Sequence, residues 1–540
     1  MKIIYPKKII YRLGDTENVD SLLADKTLQI GLSERDTARM QGKSCFILDF
    51  GKEVSGSVRI LTYNADFDKR VRLRFGESVG ETCAEIGEKN ATNDHSLRDF
   101  CVELQSYSDM TFGNTGFRFL RVDTLGDATR ILIKSIVAVS DADEREERGT
   151  FECDDETVNA IWHTAASTLR LCLHNGYFWD GVKRDRLVWI GDLYPEMRAA
   201  HCLYGNISET ENSLAFAQEQ TPLPEWMNGI PMYSMWWLYI LCDYYKLTKN
   251  KEFVAKQIDY ILGLIDLLDK HVDGNGNTAF GYNFIDWATH WANGESLDKK
   301  SDEEAGILFL LKIVVEKTAW LLQNFGIENE KCLRLLKKLE KKKYEVNRYK
   351  QIAALGVFAG EKNENNRNVL LKNGASGFST FMSYFILTAI ANYGEYDSAL
   401  SLMKEYYGGM LKLGATTFWE DFDIDWAENA TRIDQMPCVG KKDVHGDCGR
   451  YCYRGYRHSL CHGWSAGVIA YLSETVAGIQ DEGDGVICVT PHLSGLKYVK
   501  ISYPVCDDVL VLDIRALENG KTKVKVIHIP KNLKVKIDEK

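Results

Sequence analysis

The sequence predicts a multidomain α+β protein in which a ring of helices lies between two β-rich parts. Up to about residue 145, short runs alternate apolar and polar side chains, which is the pattern of half-buried strands. From Phe151 to about residue 478, apolar residues recur at steps of three and four, as in helices, and short alternating runs return after Gly483. A chain of 540 residues is too long for one core, so we place three domains at 1–148, 149–480 and 481–540.

The two outer domains are predicted to be built from strands. The first domain is expected to be a β-sandwich, with strands at 44–51, 56–60, 70–76, 117–122 and 131–137. The third domain is expected to be a small, β-sandwich-like domain, docked on the helices because so small a sheet is marginal alone. Its predicted strands are 486–489, 497–503, 509–514, 523–529 and 533–537.

The middle domain is predicted to be a toroid of six helical hairpins, an (α/α)6 ring. Asp154 or Asp155 is placed to cap its first helix. Counting weaker stretches gives about a dozen helices, which fits six hairpins better than a four-helix bundle. In such a ring the loops on one face surround a central funnel, where we expect function. The clearest helix candidates are 193–204, 207–219, 231–247, 251–271, 303–325, 328–346, 379–393, 396–408 and 462–476.

Composition and charge argue against several partners. A formal net charge of −11 disfavours nucleic acid and anionic membranes, because phosphate binding needs clustered positive charge. The N-terminus lacks the apolar stretch of a signal peptide, and no run of about 18 apolar residues occurs. We therefore expect a soluble, cytoplasmic protein whose fourteen cysteines are mostly reduced thiols. The sequence leaves the oligomeric state open, a homodimer included.

The segment Trp179–Asp192 is the first candidate for an active-site loop. It combines three carboxylates and three cations with two tryptophans, a mixture that neither a helix face nor a solvated loop needs. Asp185 lies between Arg184 and Arg186, whose charges lower a carboxyl pKa, whereas neighbouring carboxylates raise it, so the protonation state stays open. The alternative is a charged turn of structural ion pairs that joins two hairpins.

Two further segments, Gly414–Asp423 and Ser459–Trp464, are predicted to lie on loops of the same ring. In the first, Glu420 beside Trp419 is placed to act as a base under an aromatic wall. In the second, His462 at a helix start can point into the funnel and bind a sugar hydroxyl. The alternatives are an exposed acidic loop and a core histidine. Acidic patches far apart in sequence suit cleavage of a glycosidic bond with inversion, which needs an acid and a base about 6.5–9.5 Å apart.

Two other groups of residues are candidates for a binding site, and each also has a purely structural interpretation. Asp286 and Trp287 follow a Gly/Asn-rich loop and are pocket candidates, with a core position as an equal alternative. A cluster of cysteines and histidines within fifteen residues suggests zinc, but it lacks a CxxC pair, and free thiols are the favoured interpretation. This cluster consists of Cys448, Cys452, His458, Cys461 and His462.

Together the three loop segments resemble the bacterial α-L-rhamnosidases of glycoside hydrolase family 78. The signature of that family is Asp-Cys-Pro-Gln-Arg-Asp-Glu-Arg-Leu-Gly-Trp-Thr-Gly-Asp, followed downstream by Gly-Ala-Thr-Thr-x-Trp-Glu and a histidine at a helix start. The runs 49–51 (Asp-Phe-Gly) and 74–77 (Arg-Phe-Gly-Glu) also look like the β-sandwich that precedes the ring in this family. The resemblance therefore touches nearly the whole chain.

The resemblance implies a role for each matched residue. Glu420 corresponds to the general base. The glutamate that acts as general acid is missing, because this chain is one residue shorter between Arg184 and Trp189. Asp185 is the only carboxylate left between the two arginines, and we assign it the acid role, since some family members have this Lys-Arg-Asp-Arg form. With the aromatic candidates added, the predicted substrate-binding residues are Asp180, Arg184, Trp189, Asp192, Asp286, Trp287, Trp419 and His462.

The resemblance thus implies an inverting exo-glycosidase that releases terminal α-L-rhamnose from small glycosides, without a cofactor or a metal. Vicinal hydroxyls of rhamnose suit paired carboxylates, and its methyl group suits an indole wall. One alternative is another six-hairpin glycosidase or phosphorylase that acts on a different sugar. The other is a sugar-binding protein that lost catalysis together with its glutamate.

Overall fold

The computed structural model describes residues 2–292, 295–518 and 521–538. The ends of the predicted outer domains, Met1 and 539–540, lie outside these residues. The predicted fold class is confirmed, because a ring of helices lies between sheet-rich N- and C-terminal parts. No helix among the described residues is both long and apolar enough to cross a bilayer.

The N-terminal part is one seven-stranded sheet that curls on itself. Its longest strand, Ala38–Asp66, pairs with the last strand at both ends, since Ile131 is the partner of Met40 and also of Ala65. The curl encloses an apolar core that includes Phe46, Leu48, Val58, Phe75 and Ile133. The strands are Lys2–Ile4, Lys8–Glu17, Ala38–Asp66, Arg70–Gly76, Asp99–Glu103, Ser108–Thr124 and Arg130–Ser140, with short helical turns at Val19–Leu23, Val79–Cys83 and Glu88–Asn90.

Twelve helices of the described chain form the ring, and they alternate between an outer and an inner layer. Asp155 caps the first helix as predicted, accepting hydrogen bonds from the amides of Thr157 and Val158. The outer helices are Glu156–Leu171, Ser208–Gln220, Ile258–Lys270, Glu330–Leu339, Glu364–Leu371 and Tyr396–Lys412. The inner helices are Leu193–Tyr204, Pro231–Thr248, Leu297–Asn324, Lys350–Phe358, Ser383–Asn392 and the composite segment 463–476. The last inner segment packs against the first inner helix, which closes the ring.

Several helix predictions differ from the structure. The helices Lys350–Phe358 and Glu364–Leu371 were not among the clearest candidates, and the predicted helix 251–271 is broken into Lys251–Ala255 and Ile258–Lys270. The predicted helix 462–476 consists of a 3₁₀ turn, one α-helical turn and a π-helical turn. Gly463 and Gly467 both lie in the 3₁₀ part, where glycine weakens a regular helix.

The C-terminal strands form two small sheets, and one of them recruits a strand from before the ring. Thr150–Cys153 pairs antiparallel with Tyr498–Val505, with Phe151 opposite Ile501. This strand falls inside the predicted helical domain at 149–480. The sheet that it joins is therefore made from two distant parts of the chain. The C-terminal strands are Ile479–Gly483, Val486–Val489, Tyr498–Val505, Asp508–Ala516, Thr522–His528 and Lys534–Ile537.

Candidate active site

The segment Trp179–Asp192 forms a tight turn between the first outer and the first inner helix. Asp180 closes the turn, because its amide donates to the carbonyl of Leu187 at 3.0 Å and its carboxylate accepts from the Leu187 amide at 2.8 Å. Asp185 and Arg186, at the tip, have φ angles of 56° and 58°. Two consecutive non-glycine residues in the left-handed region are strained and persist only where surrounding contacts hold them, a feature that clusters at functional sites.

Arg184 lies between the two predicted catalytic carboxyl groups. Its Nη2 donates a short hydrogen bond to Glu420 Oε1, and its Nη1 lies 3.6 Å from Asp185 Oδ1. The guanidinium also lies over the Tyr453 ring, 5.5 Å from the centroid. The first and second loop segments, more than 200 residues apart in sequence, therefore meet through this one cation.

Glu420 is a buried carboxylate in a cationic environment. The Ser459 amide donates to its Oε2 at 3.1 Å, and His462 Nδ1 lies 3.7 Å from its Oε1. Burial raises the pKa of Glu420, but the charges of Arg184 and His462 outweigh burial, and the net shift is downward. At neutral pH this group is an ionised carboxylate, which is the form a general base needs.

His462 joins this group to a second carboxyl pair. Its Nε2 lies 2.9 Å from Asp192 Oδ2. Burial lowers the pKa of His462, but Glu420 and Asp192 raise it to about 9, so the ring is an imidazolium at neutral pH. Burial raises the pKa of Asp192, against the effect of His462, and raises that of Asp180 well above its usual range. A raised pKa favours the protonated form of the Asp180 carboxyl, which can both donate to and accept from a ligand hydroxyl.

These groups line one cavity of about 450 Å³. Its wall is formed by loops that lead into inner helices and by the first turns of those helices. Eight of the ten predicted site residues lie in the wall, namely Asp180, Arg184, Asp185, Trp189, Asp192, Trp287, Glu420 and His462. The remaining wall residues are mostly aromatic or apolar, so charged groups converge on a cavity whose lining is otherwise apolar.

Two predicted substrate-binding residues, Asp286 and Trp419, do not lie in the described wall of this cavity. Asp286 is buried and accepts a short hydrogen bond from the Ser379 hydroxyl, so its carboxylate holds a loop together. Trp419 is only 1% exposed and packs edge-on against Phe422 and His458. Both residues lie outside the described wall, and their assignment as sugar ligands stays a prediction.

Sequence reasoning missed several wall residues. Tyr233 begins an apolar inner helix, and Tyr282 and Phe284 lie in the loop before Trp287, where periodicity does not separate a cavity-facing ring from a core ring. His95 is a different case, because it belongs to the N-terminal sheet domain. Its Nε2 lies 3.3 Å from Asp185 Oδ1, and no local pattern connects it to the ring.

The cysteine and histidine cluster does not form a zinc site in the described part of the chain. His458 Nε2 accepts a hydrogen bond from the Asp421 amide at 2.9 Å, and His462 is bonded to Asp192. One group with converging ligand atoms was found among the described residues, and it consists of Glu77, Glu81 and His445. The Lys183 ammonium lies 3.0 Å from Glu77 and 3.3 Å from Glu81, so a fixed cation already fills this position.

The turn rests on Gly116 of the strand Ser108–Thr124, and this contact gives a first prediction. The Gly116 amide donates to the Val182 carbonyl at 3.0 Å, and a Cβ on Gly116 would lie 2.8 Å from the Lys183 amide nitrogen. We expect Gly116→Ala to lower the free energy of unfolding by about 1–3 kcal/mol, because the clash involves main chain. Urea denaturation measures this. Gly274→Ala, whose Cβ would meet no atom within 4 Å, is the control and should change it by less than about 0.5 kcal/mol. Equal midpoints for both variants would contradict the clash.

Part of the ring of helical hairpins is similar to a known protein family. Residues 146–323 match the family described as the bacterial alpha-L-rhamnosidase 6 hairpin glycosidase domain. The matched region contains Trp179–Asp192 and the helices through most of Leu297–Asn324. This match covers about a third of the chain. Glu420 and His462 lie outside the matched region.

Solved rhamnosidases share the fold over most of the chain. A rhamnosidase of family GH78 from Bacillus sp. GL1 has a TM-score of 0.76 at 19% identity, covering 96% of this chain and 55% of that one. The rhamnosidase from Klebsiella oxytoca with rhamnose bound has a TM-score of 0.68 at 17% identity, covering 87% of this chain and 95% of that one. The α-L-rhamnosidase from Streptomyces avermitilis complexed with L-rhamnose has a TM-score of 0.70 at 15% identity, covering 99% and 50%. The chain thus spans about half the length of the first and third of these. No curated protein sequence matches it.

Proposed function

We propose that the protein is an α-L-rhamnosidase that hydrolyses its substrate with inversion, with Glu420 as the general base and Asp185 as the general acid. The observation that carries this proposal is the position of the Arg184 guanidinium between the two carboxyl groups, inside an otherwise apolar cavity. Because one guanidinium bridges them, the two groups are expected to be separated by a distance of the same order as the 6.5–9.5 Å of inverting pairs.

In the proposed reaction each proton has a defined donor and acceptor. The Glu420 carboxylate takes a proton from a water molecule, whose oxygen forms a bond to the anomeric carbon. The glycosidic carbon–oxygen bond breaks, and Asp185 gives its proton to the leaving oxygen. The charges of Arg184 and His462 favour an ionised Glu420 before the reaction. The contact between His95 and Asp185 helps to aim the shorter acid toward the leaving group.

The cavity supports a terminal sugar as the substrate. Asp180, Asp192 and His462 present hydroxyl-binding groups, and Trp189 and Tyr233 present an apolar surface suited to a methyl group. A volume of about 450 Å³ suits one monosaccharide and part of the attached group better than a polymer. The solved proteins from Klebsiella oxytoca and Streptomyces avermitilis contain rhamnose, and we infer the same sugar here.

We also infer that the protein works in the cytoplasm, on imported small glycosides and without nucleic acid or membrane partners. All fourteen cysteines are described and unpaired, which suits a reducing compartment. Recovery of the protein from the membrane or the culture medium after cell fractionation would contradict this location. Light scattering on the purified protein distinguishes a monomer from a homodimer.

A panel of nitrophenyl glycosides, with the first product followed by NMR, tests the activity. Release of β-L-rhamnose from an α-L-rhamnoside is expected, because inversion changes the anomeric configuration. Initial release of α-L-rhamnose would contradict inversion, and turnover of a different glycoside alone would contradict the sugar. A strict requirement for phosphate would identify a phosphorylase. Binding of rhamnose by calorimetry without turnover of any rhamnoside would identify a sugar-binding protein.

A further inference from the structure

Glu77 lies in the N-terminal sheet domain and reaches the active-site loops of the ring. It directly follows the strand Arg70–Gly76 and is fully buried. Its Oε2 accepts from the Leu460 amide at 2.6 Å, and its Oε1 accepts from the Ser459 hydroxyl at 3.3 Å. A carboxylate of one domain therefore fixes the main chain of a loop that belongs to the other.

Lys183 is the counter-ion of Glu77 and ties a second loop to the same point. Its Nζ lies 3.0 Å from Glu77 Oε2 and donates to the carbonyls of Tyr456 at 2.9 Å and His458 at 2.5 Å. Its side chain is only 10% exposed. Lys183 directly precedes Arg184, so the turn that carries Arg184 and the segment 456–460 are held by one ion pair.

Both loops donate hydrogen bonds to the Glu420 carboxylate. The Ser459 amide donates to Glu420 Oε2 at 3.1 Å, and the Glu420 amide donates back to the Ser459 carbonyl at 3.0 Å. From the other side, Arg184 donates to Glu420 Oε1. Glu77 thus bonds Ser459, whose amide supports the Glu420 carboxylate. Lys183 directly precedes Arg184, which pairs with the same carboxylate. Neither Glu77 nor Lys183 is among the residues that line the cavity.

Burying a charged pair is expensive, and its contribution to stability is often neutral or unfavourable relative to apolar side chains of the same volume. The pair instead orients the main chain. Its hydrogen bonds and its fixed charge hold the turn that carries Arg184 and the segment 456–460 in one relative position. We propose that Glu77 and Lys183 are positioning residues through which the N-terminal sheet domain orients the Glu420 base. The proposal rests on the proposed function, since it takes Glu420 as the base.

Kinetics of Glu77→Gln are the first test. The amide keeps the shape and an acceptor but loses the nearer of the two carboxylate charges that hold Lys183, the other being that of Glu81. We expect kcat for an aryl α-L-rhamnoside to fall about 10- to 100-fold with KM unchanged, because a displaced base costs rate and leaves sugar binding intact. The acidic limb of the kcat/KM profile should move to higher pH, because the Ser459 amide helps to lower the pKa of Glu420. Glu77→Asp should recover part of the rate.

Glu103→Gln, an exposed acid on the same sheet, is the matched control and should match wild type in every measurement. A wild-type kcat and an unmoved acidic limb in Glu77→Gln would overturn the proposal. So would an effect confined to KM. If Glu77→Gln does not fold, Lys183→Arg, which keeps the charge but changes its donor geometry, takes its place with the same expected fall in kcat.

Hydrogen exchange separates this proposal from the proposed function. In Glu77→Gln we expect the amides of Ser459 and Leu460 to exchange at least about tenfold faster than in wild type, while amides in the core of the first sheet keep their rates. This result stands even if the wild-type protein hydrolyses no rhamnoside. Faster exchange throughout the first domain, with no selective change at these two amides, would show a general loss of stability and would reject the positioning role.

Discussion

Glu420→Gln is expected to lower kcat for an aryl α-L-rhamnoside by about 100- to 10,000-fold, the range over which general base catalysis contributes. Glutamine has nearly the same shape and keeps one oxygen that can accept from Arg184 or from the Ser459 amide, but it cannot take a proton from water. Steady-state kinetics measure the change. Calorimetry should show rhamnose binding within a few-fold of wild type, and the melting temperature reports whether the fold is intact.

The pH profile of the wild-type enzyme adds a second check on the same residue. Because the pKa of Glu420 is lowered, the acidic limb of kcat/KM should lie below the ordinary glutamate value of about 4.3. Activity is present above that limb, where Glu420 is ionised, and is lost as the pH falls through it. Glu428→Gln, an exposed acid in the same stretch of chain, should behave as wild type. Wild-type turnover by Glu420→Gln would remove Glu420 from the mechanism.

Asp185→Asn is expected to have an effect that depends on the leaving group. For alkyl or sugar leaving groups, which need protonation, we expect kcat to fall about 100- to 10,000-fold. For a nitrophenyl leaving group, which departs as a stable anion, the loss should be much smaller. The measurement is the ratio of the two rates in mutant and wild type, with Asp141→Asn as an exposed control.

The same experiment tests Asp185 against its neighbour Asp180. Burial raises the pKa of Asp180 well above its usual range, which favours the protonated form that a general acid needs. If Asp185→Asn slows both classes of substrate equally and Asp180→Asn shows the dependence on the leaving group, the acid is Asp180. In that case the role of general acid would belong to Asp180, which closes the shortened turn, and not to Asp185 at its tip.

Most of the wall residues that were predicted from sequence are charged. Asp180, Arg184 and Glu420 stand out in the sequence because they lie in loops where charged and aromatic side chains cluster. Packing of a loop does not by itself require such a cluster. Tyr233 was missed because it opens a helix that is apolar on every face, so its direction depends on how the ring closes. His95 was missed because a contact between domains leaves no trace in local spacing.

Asp286 and Trp419 show the opposite case, because they were predicted to bind the sugar but do not lie among the described wall residues. Asp286 and Trp419 were chosen for the ligand set by residue type, since acids and indoles near a funnel suit a sugar. Their depth behind the wall depends on partners such as Ser379 and Phe422, which are distant in sequence or apolar. The fold was easier, because alternation and helical spacing are repeated over many residues, whereas the direction of one side chain depends on single contacts.

The strand Thr150–Cys153 makes the order of synthesis matter for this chain. Its partner, Tyr498–Val505, is made more than 300 residues later, so the sheet that they share can close only when translation is nearly finished. The first sheet domain can fold during translation, since N-terminal domains generally fold first. We expect ribosome-bound chains that stop at residue 480 to protect the first domain from protease while the linker near residue 150 stays open to cleavage. Equal protection of both regions in such chains would contradict this order.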